Sequence, residues 1–150
     1  MSDVLLINGP NLARLGQRAP SIYGHVTLRQ IEEKVHHRVE AAGLSLKCFQ
    51  SDVEGEIIRF VDAHRDARGL IINPGALMMS GWSLRDCLED FDGYKIEIHI
   101  SNIFAREAFR TRSVLADVMN GMIAGLGVVA YTLAVSAIEA VIRPETAGAK

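Results

Sequence analysis

Three clusters of polar residues follow short apolar runs in this chain, and their types suit proton transfer. Glu97 and His99 stand two apart in YKIEIHIS, so on a strand they share a face. A histidine oriented by a carboxylate is a suitable general acid. The segment NGPNLARLGQRAPSIYG, after the apolar run VLLIN, offers Asn11, Arg14, Arg18 and Tyr23, with Asn8 at the end of the run. INPGALMMSG offers Asn73 and several free backbone amides, and Arg106, Arg110 and Arg112 follow the histidine. A free phenol has a pKa of about 10, and bringing it to about 7 takes roughly 4 kcal/mol at ~1.36 kcal/mol per unit. A partly desolvated guanidinium supplies much of that. A phenolate removes a weakly acidic proton beside a carbonyl, and an asparagine amide or an asparagine-held water supports the enolate. The histidine then protonates a leaving hydroxyl. The set reads as carbonyl-assisted elimination of water that needs neither metal nor cofactor.

Each residue also has an ordinary reading. Tyr23 and Arg18 fit a solvated loop, Asn8 and Asn73 fit strand-end caps, and a Glu–His pair is often a structural hydrogen bond. Their joint position at three strand ends separates the two readings. His36 and His37 are adjacent on a helix and point apart, which argues against a metal pair. The chain has no P-loop, no GxGxxG, and no acidic pair after its first apolar run.

Positioning these residues falls to alternating strands and helices. VLLIN (4–8), LSLKCFQ (44–50), GLIIN (69–73), YKIEIHIS (94–101) and MIAGLG (122–127) read as strands. Thr27 followed by Gln30 is a capping box, Leu28, Ile31, Val35 and Val39 recur at helical spacing, and Gly43 stops that helix. Val53, Ile57 and Val61 mark a second helix; 82–91, with Leu84, Leu88 and Phe91 inward, a third; 113–120 a short one; and 129–141 the last. Residues 9–26, rich in Gly and Pro, form a long loop of the kind that binds ligands. The expected fold is α/β, a flavodoxin-like three-layer sandwich with a five-stranded parallel sheet, whose ligands sit at the carboxyl ends of the strands.

Bulk properties agree. The chain has 150 residues, 49% apolar, and a net charge of −2, which suits one domain over 1–150 with a tail frayed from about 143. That balance argues against nucleic-acid or membrane-surface binding, and no apolar run approaches the ~20 residues of a membrane span. MSDVLLINGPN lacks the basic start of a signal peptide, and the two distant cysteines, Cys48 and Cys87, read as reduced thiols, so a cytoplasmic location is expected.

LLINGPNLARLGQRAPSIYG, IINPGA and IEIHISNIFAREAFR together resemble the type II 3-dehydroquinate dehydratases, as do SLRDC and GMIAGLG. The resemblance runs from residue 4 to about 140. It implies a hydro-lyase of the shikimate pathway of aromatic amino acid biosynthesis, acting by anti elimination of water from 3-dehydroquinate to 3-dehydroshikimate through an enolate. It also implies a cofactor-free, metal-free homo-oligomer, a dodecamer of four trimers. Carried over by position, Tyr23 matches the base and Arg18 the arginine that lowers its pKa. Asn11 matches the residue holding the enolate-stabilising water, His99 the general acid and Glu97 its orienting carboxylate. Asn73, Gly75, Met79, Ile100, Ser101 and Arg110 fall on substrate-binding positions, and Asp86 on an aspartate that reaches a neighbouring subunit's site.

The chain departs from the family in one loop. Where the family has GAYTHTSVALRD, this chain has GALMMSGWSLRD, so Met79 takes the place of a substrate-binding histidine, and Leu77 and Met78 replace Tyr and Thr. Phe104, Ala108 and Ala19 also depart from the usual pattern. A thioether donates no proton, and losing a buried partner costs a hydroxyl about 1–3 kcal/mol. Three functions stay open on these residues. One is a dehydroquinase tolerant of the change. Another is a paralogous lyase or isomerase acting on a less polar cyclic carbonyl compound. The third is a non-catalytic binding protein on the same fold, against which the five retained proton-transfer residues speak.

Overall fold

The computed structural model describes residues 2–17 and 19–142, with the backbone but not the side chain of Tyr23; Arg18 and the tail from 143 lie outside the described residues. Five parallel strands form one sheet: β1 (Val4–Asn8), β2 (Leu46–Gln50), β3 (Gly69–Asn73), β4 (Tyr94–His99) and β5 (Gly121–Ala124). Their order is β2-β1-β3-β4-β5, the flavodoxin-like order expected. The helices are α1 (Pro20–Tyr23), α2 (Leu28–Ala41), α3 (Glu54–Ala63), α4 (Leu77–Ser80), α5 (Trp82–Glu89) and α6 (Val129–Ile142).

Strand alternation divides the core in two. Val4, Leu6, Ile71, Ile96 and Ile98 face one side with Ile31, Val35 and Val39 of α2 and Ala134, Val135 and Ile138 of α6. Leu5, Ile7, Leu70 and Ile72 face the other with Ile57 and Val61 of α3 and Leu84 and Leu88 of α5. The central strands β1 and β3 are apolar on both faces and fully buried, as a covered parallel sheet requires. The capping box at Thr27 is present: its hydroxyl accepts from the Gln30 amide at 3.2 Å, and the Gln30 side chain accepts from the Thr27 amide at 3.0 Å.

Several expected elements are shortened. The strand expected from Leu44 begins at Leu46, the one expected to reach Ser101 ends at His99, and the last spans Gly121–Ala124. Gly125 and Gly127, at φ 86° and 67°, turn that last strand away, and their amides donate to the carbonyls of His99 and Ile100. The helix expected over 113–120 is only a 3-10 turn at Ala116–Val118. Its start is held elsewhere: the Val114 amide donates to the Met78 carbonyl at 2.6 Å, and the Asn120 amide already pairs with Lys95. Val53 precedes α3 instead of packing beneath it and is 54% exposed. Within the long loop, Leu12–Arg14 form a 3-10 turn and Pro20 opens α1. No helix among the described residues is long and apolar enough to cross a membrane.

Candidate active site

The turns after β1 and β3 press back to back and form the floor of the site. A Cβ on Gly9 would come within 2.4 Å of the Pro74 carbonyl oxygen, and one on Gly75 within 3.0 Å of the Pro10 oxygen. Asn-Gly-Pro and Asn-Pro-Gly are therefore a steric match, tied by the Gly9 amide donating to the Asn73 carbonyl at 2.8 Å. Asn11 follows at φ 70°, a left-handed conformation that asparagine tolerates better than most residues. Its amide donates to Asp52 Oδ1 at 2.8 Å, and Gln50 Nε2 bonds both Asp52 Oδ1 and the Gly9 carbonyl. The Asn11 side-chain oxygen accepts from Arg14.

One pocket at the carboxyl ends of the strands gathers Asn11, Asn73, Gly75, His99, Ile100, Ser101 and Arg110. Leu12, Ala76, Met78, Ile103 and Arg106 complete its lining. His99 is 5% exposed and Glu97, behind it, 0%. His99 Nε2 stands 3.2 Å from Glu97 Oε2. That is an ion-pair distance, but the pair is off the axis of a hydrogen bond, so neither atom has a hydrogen-bond partner among the described residues. Buried polar atoms are rarely left in this state, and when they are the place is often a functional site. The other carboxylate oxygen is held firmly, accepting from the Ser113 hydroxyl at 2.6 Å. Ser113 also accepts from the Leu115 amide at 3.2 Å, which closes a tight turn beside the carboxylate.

Ser113→Ala is expected to destabilise the fold by about 1–3 kcal/mol, because it strips a donor from a fully buried carboxylate. Denaturant unfolding measures this, and an unchanged midpoint would mean that Glu97 does not depend on the contact.

Two arginines shape the rim. Arg106 Nη1 donates to Ser101 Oγ at 3.3 Å, and Arg110 Nε donates to Glu107 Oε2 at 2.8 Å. A bond from its own backbone amide, then Arg110 and Arg106, hold the Glu107 carboxyl below the usual carboxylate range despite partial desolvation. Two guanidiniums at one pocket suit an anionic ligand.

The sequence-derived residues divide. Asn11, Asn73, Gly75, His99, Ile100, Ser101 and Arg110 meet in the pocket, with Glu97 behind His99. Met79 is half-buried and not among the lining residues, where Met78, 3% exposed, stands instead. The four-residue α4 turns successive side chains by about 100° each, so neighbours cannot both face the cavity. Asp86 lies on the exposed face of α5, paired with Arg85 at 3.1 Å. Arg18 and the Tyr23 side chain lie outside the described residues; the Tyr23 backbone ends α1 in the loop that follows Asn11. Neither motif nor spacing marks Met78 or Ser113 as a site residue, whereas Arg106 belongs to the cationic run 106–112 that follows the histidine.

Residues 2–139 match the family Dehydroquinase class II. The chain is 44% identical over 139 residues to a 3-dehydroquinate dehydratase of Halalkalibacterium halodurans, covering 92% of this chain and 96% of that protein. It is 48% identical over 133 residues to the one from Roseiflexus castenholzii, covering 88% and 85%. Among solved structures, the type II dehydroquinase from Propionibacterium acnes aligns with TM-score 0.88 at 38% identity, covering 93% of this chain and 98% of that one. A 3-dehydroquinate dehydratase-like protein from Bifidobacterium longum, at TM-score 0.70 and 24% identity, shares the fold.

Proposed function

The chain belongs to the class II dehydroquinase family, and on that premise we propose that it removes water from 3-dehydroquinate to give 3-dehydroshikimate. The carrying observation is His99 on the pocket wall with the fully buried Glu97 3.2 Å behind it, beside the asparagine-bearing turns that follow β1 and β3. In this reading the Tyr23 phenolate, favoured by Arg18, takes the proton beside the ketone. Electrons move into the carbonyl and form an enolate, which a water on Asn11 stabilises. The enolate collapses, the carbon–hydroxyl bond breaks, and His99 delivers the proton that lets the hydroxyl leave as water. Asn73, Gly75, the backbone of Ile100 and Ser101, and Arg110 hold the substrate. No redox step occurs, so no cofactor is called for.

The test is ultraviolet absorbance of the protein mixed with 3-dehydroquinate, because the product's conjugated enone absorbs and the substrate does not. Steady growth of the enone band is the expected result; a flat trace with folded protein would sink the assignment.

A second reading is favoured by one observation: Leu12, Met78 and Ile103 give the pocket an apolar wall. Flexible apolar side chains accept apolar shapes, so a related but less polar cyclic carbonyl compound is the alternative substrate, for a lyase or isomerase. Met78→Thr combined with Met79→His restores two of the three family residues at 77–79, the histidine among them. If 3-dehydroquinate is the substrate, the pair is expected to change kcat/KM by no more than about a hundredfold, the worth of one restored contact at about 1–3 kcal/mol. A rise of several hundredfold from a near-inactive parent would favour the second reading.

A homo-oligomer, four trimers in a dodecamer, belongs to the same proposal. Leu126 (55% exposed), Val129 (48%) and Leu133 (41%) cluster with Met122 around β5 and α6, apolar surface of the kind subunits cover. In that assembly Asp86, exposed on α5, would reach a neighbouring subunit's site. The free thiols Cys48 and Cys87 support a cytoplasmic location.

A further inference from the structure

A chain of three buried polar groups crosses the sheet behind the pocket, away from Glu97 and His99. Asn8 ends β1 and Asn73 ends β3, and the two are register partners. By strand alternation both face α6, on the side opposite Glu97. There the Tyr131 hydroxyl donates to Asn8 Oδ1 at 2.6 Å and accepts from Asn73 Nδ2 at 2.9 Å. Asn73 Oδ1 in turn accepts from the Gly75 amide at 3.3 Å. The ring of Tyr131 is 1% exposed, Asn8 0% and Asn73 4%.

Packing alone does not call for this arrangement. A phenylalanine would fill the same core space and bury no hydroxyl, and the Asn8 amide nitrogen is left without a hydrogen-bond partner. The chain has a direction, however. The one phenolic proton is committed to Asn8, so the phenol can offer Asn73 only a lone pair. A flipped Asn73 amide would set its oxygen against that lone pair and withdraw it from the Gly75 amide. We propose that Tyr131 is a positioning residue: it fixes the orientation of the Asn73 amide, and through it the Gly75 turn, on the floor of the substrate pocket. The consequence for catalysis rests on the dehydratase reading above.

Three single variants, one double variant and two readouts test this. Tyr131→Phe is expected to raise KM for 3-dehydroquinate about tenfold, the effect of one misplaced hydrogen bond, with kcat changed less than about threefold. Asn73→Ala should raise KM as well, and adding Tyr131→Phe to it should raise KM no further. Fully additive effects, or a fall in kcat with KM unchanged, would overturn the proposal. Amide exchange by mass spectrometry needs no turnover. In Tyr131→Phe the amides of 75–79 should exchange faster while those of 70–72 stay protected; a uniform rise would mean a purely structural role. Asn8→Ala is the second variant should Tyr131→Phe not fold. It frees the phenolic proton to turn toward Asn73 and should give the same KM and exchange pattern. A parent that leaves 3-dehydroquinate untouched would defeat the dehydratase reading alone, and the exchange pattern would still decide the role of Tyr131.

Discussion

Tyr23→Phe is expected to lower kcat for 3-dehydroquinate by about a thousandfold, within the range that positioned acid–base groups supply. The proton beside a ketone is only weakly acidic, and the residue that removes it must be a strong base in a chain where no metal is called for. Phenylalanine keeps the ring and removes the one oxygen that can act. KM should move by less than about threefold, because a base that acts in the transition state adds little to ground-state binding. The backbone of Tyr23 closes α1, in the loop that leaves β1 past Asn11. The measurement is the initial rate of enone absorbance over a range of substrate concentrations. Retention of more than about a tenth of the parent's kcat would assign the base to another group.

His99→Gln is expected to cost about a hundredfold to a thousandfold in kcat with little loss of stability. Glutamine fills similar space and can hydrogen-bond, but it cannot deliver a proton. The stability side follows from the environment: His99 Nε2 has no hydrogen-bond partner among the described residues, so its removal strands nothing that was satisfied. Glu97→Gln should be milder in rate, because the amide can still accept from Ser113 and face the imidazole. If His99→Gln kept near-parent rates, the leaving hydroxyl would be protonated by solvent or another residue, and the Glu97–His99 pair would be structural. Rates and thermal midpoints for both variants separate these outcomes.

Much of this was legible in the chain. The runs VLLIN and GLIIN could be read as strands because each is short, continuous and stopped by Gly and Pro. The α2 boundary followed from a capping box that acts across three residues. Glu97 and His99 could be put on one face because strand side chains alternate. The misreadings fall where a distant partner overrides local preference. Residues 113–120 look helical, but Val114 is claimed by the Met78 carbonyl and Ser113 by Glu97, and a chain pinned at both points cannot coil. Local spacing also does not tell which residue of the short α4 faces the cavity; there Met78 stands on the pocket wall.

By itself the sequence determined most of the element types and nominated strand-end residues for proton transfer, because these depend on side-chain identity and on spacings of two to four residues. The tertiary structure alone decided which side chains share a wall. Tyr131 lies 123 residues from Asn8 and 58 from Asn73, and Ser113 lies 16 from Glu97. No periodicity links such positions. They meet because β1, β3 and β4 are neighbours in the sheet, with α6 packed over one face and the segment around Val114 and Leu115 over the other.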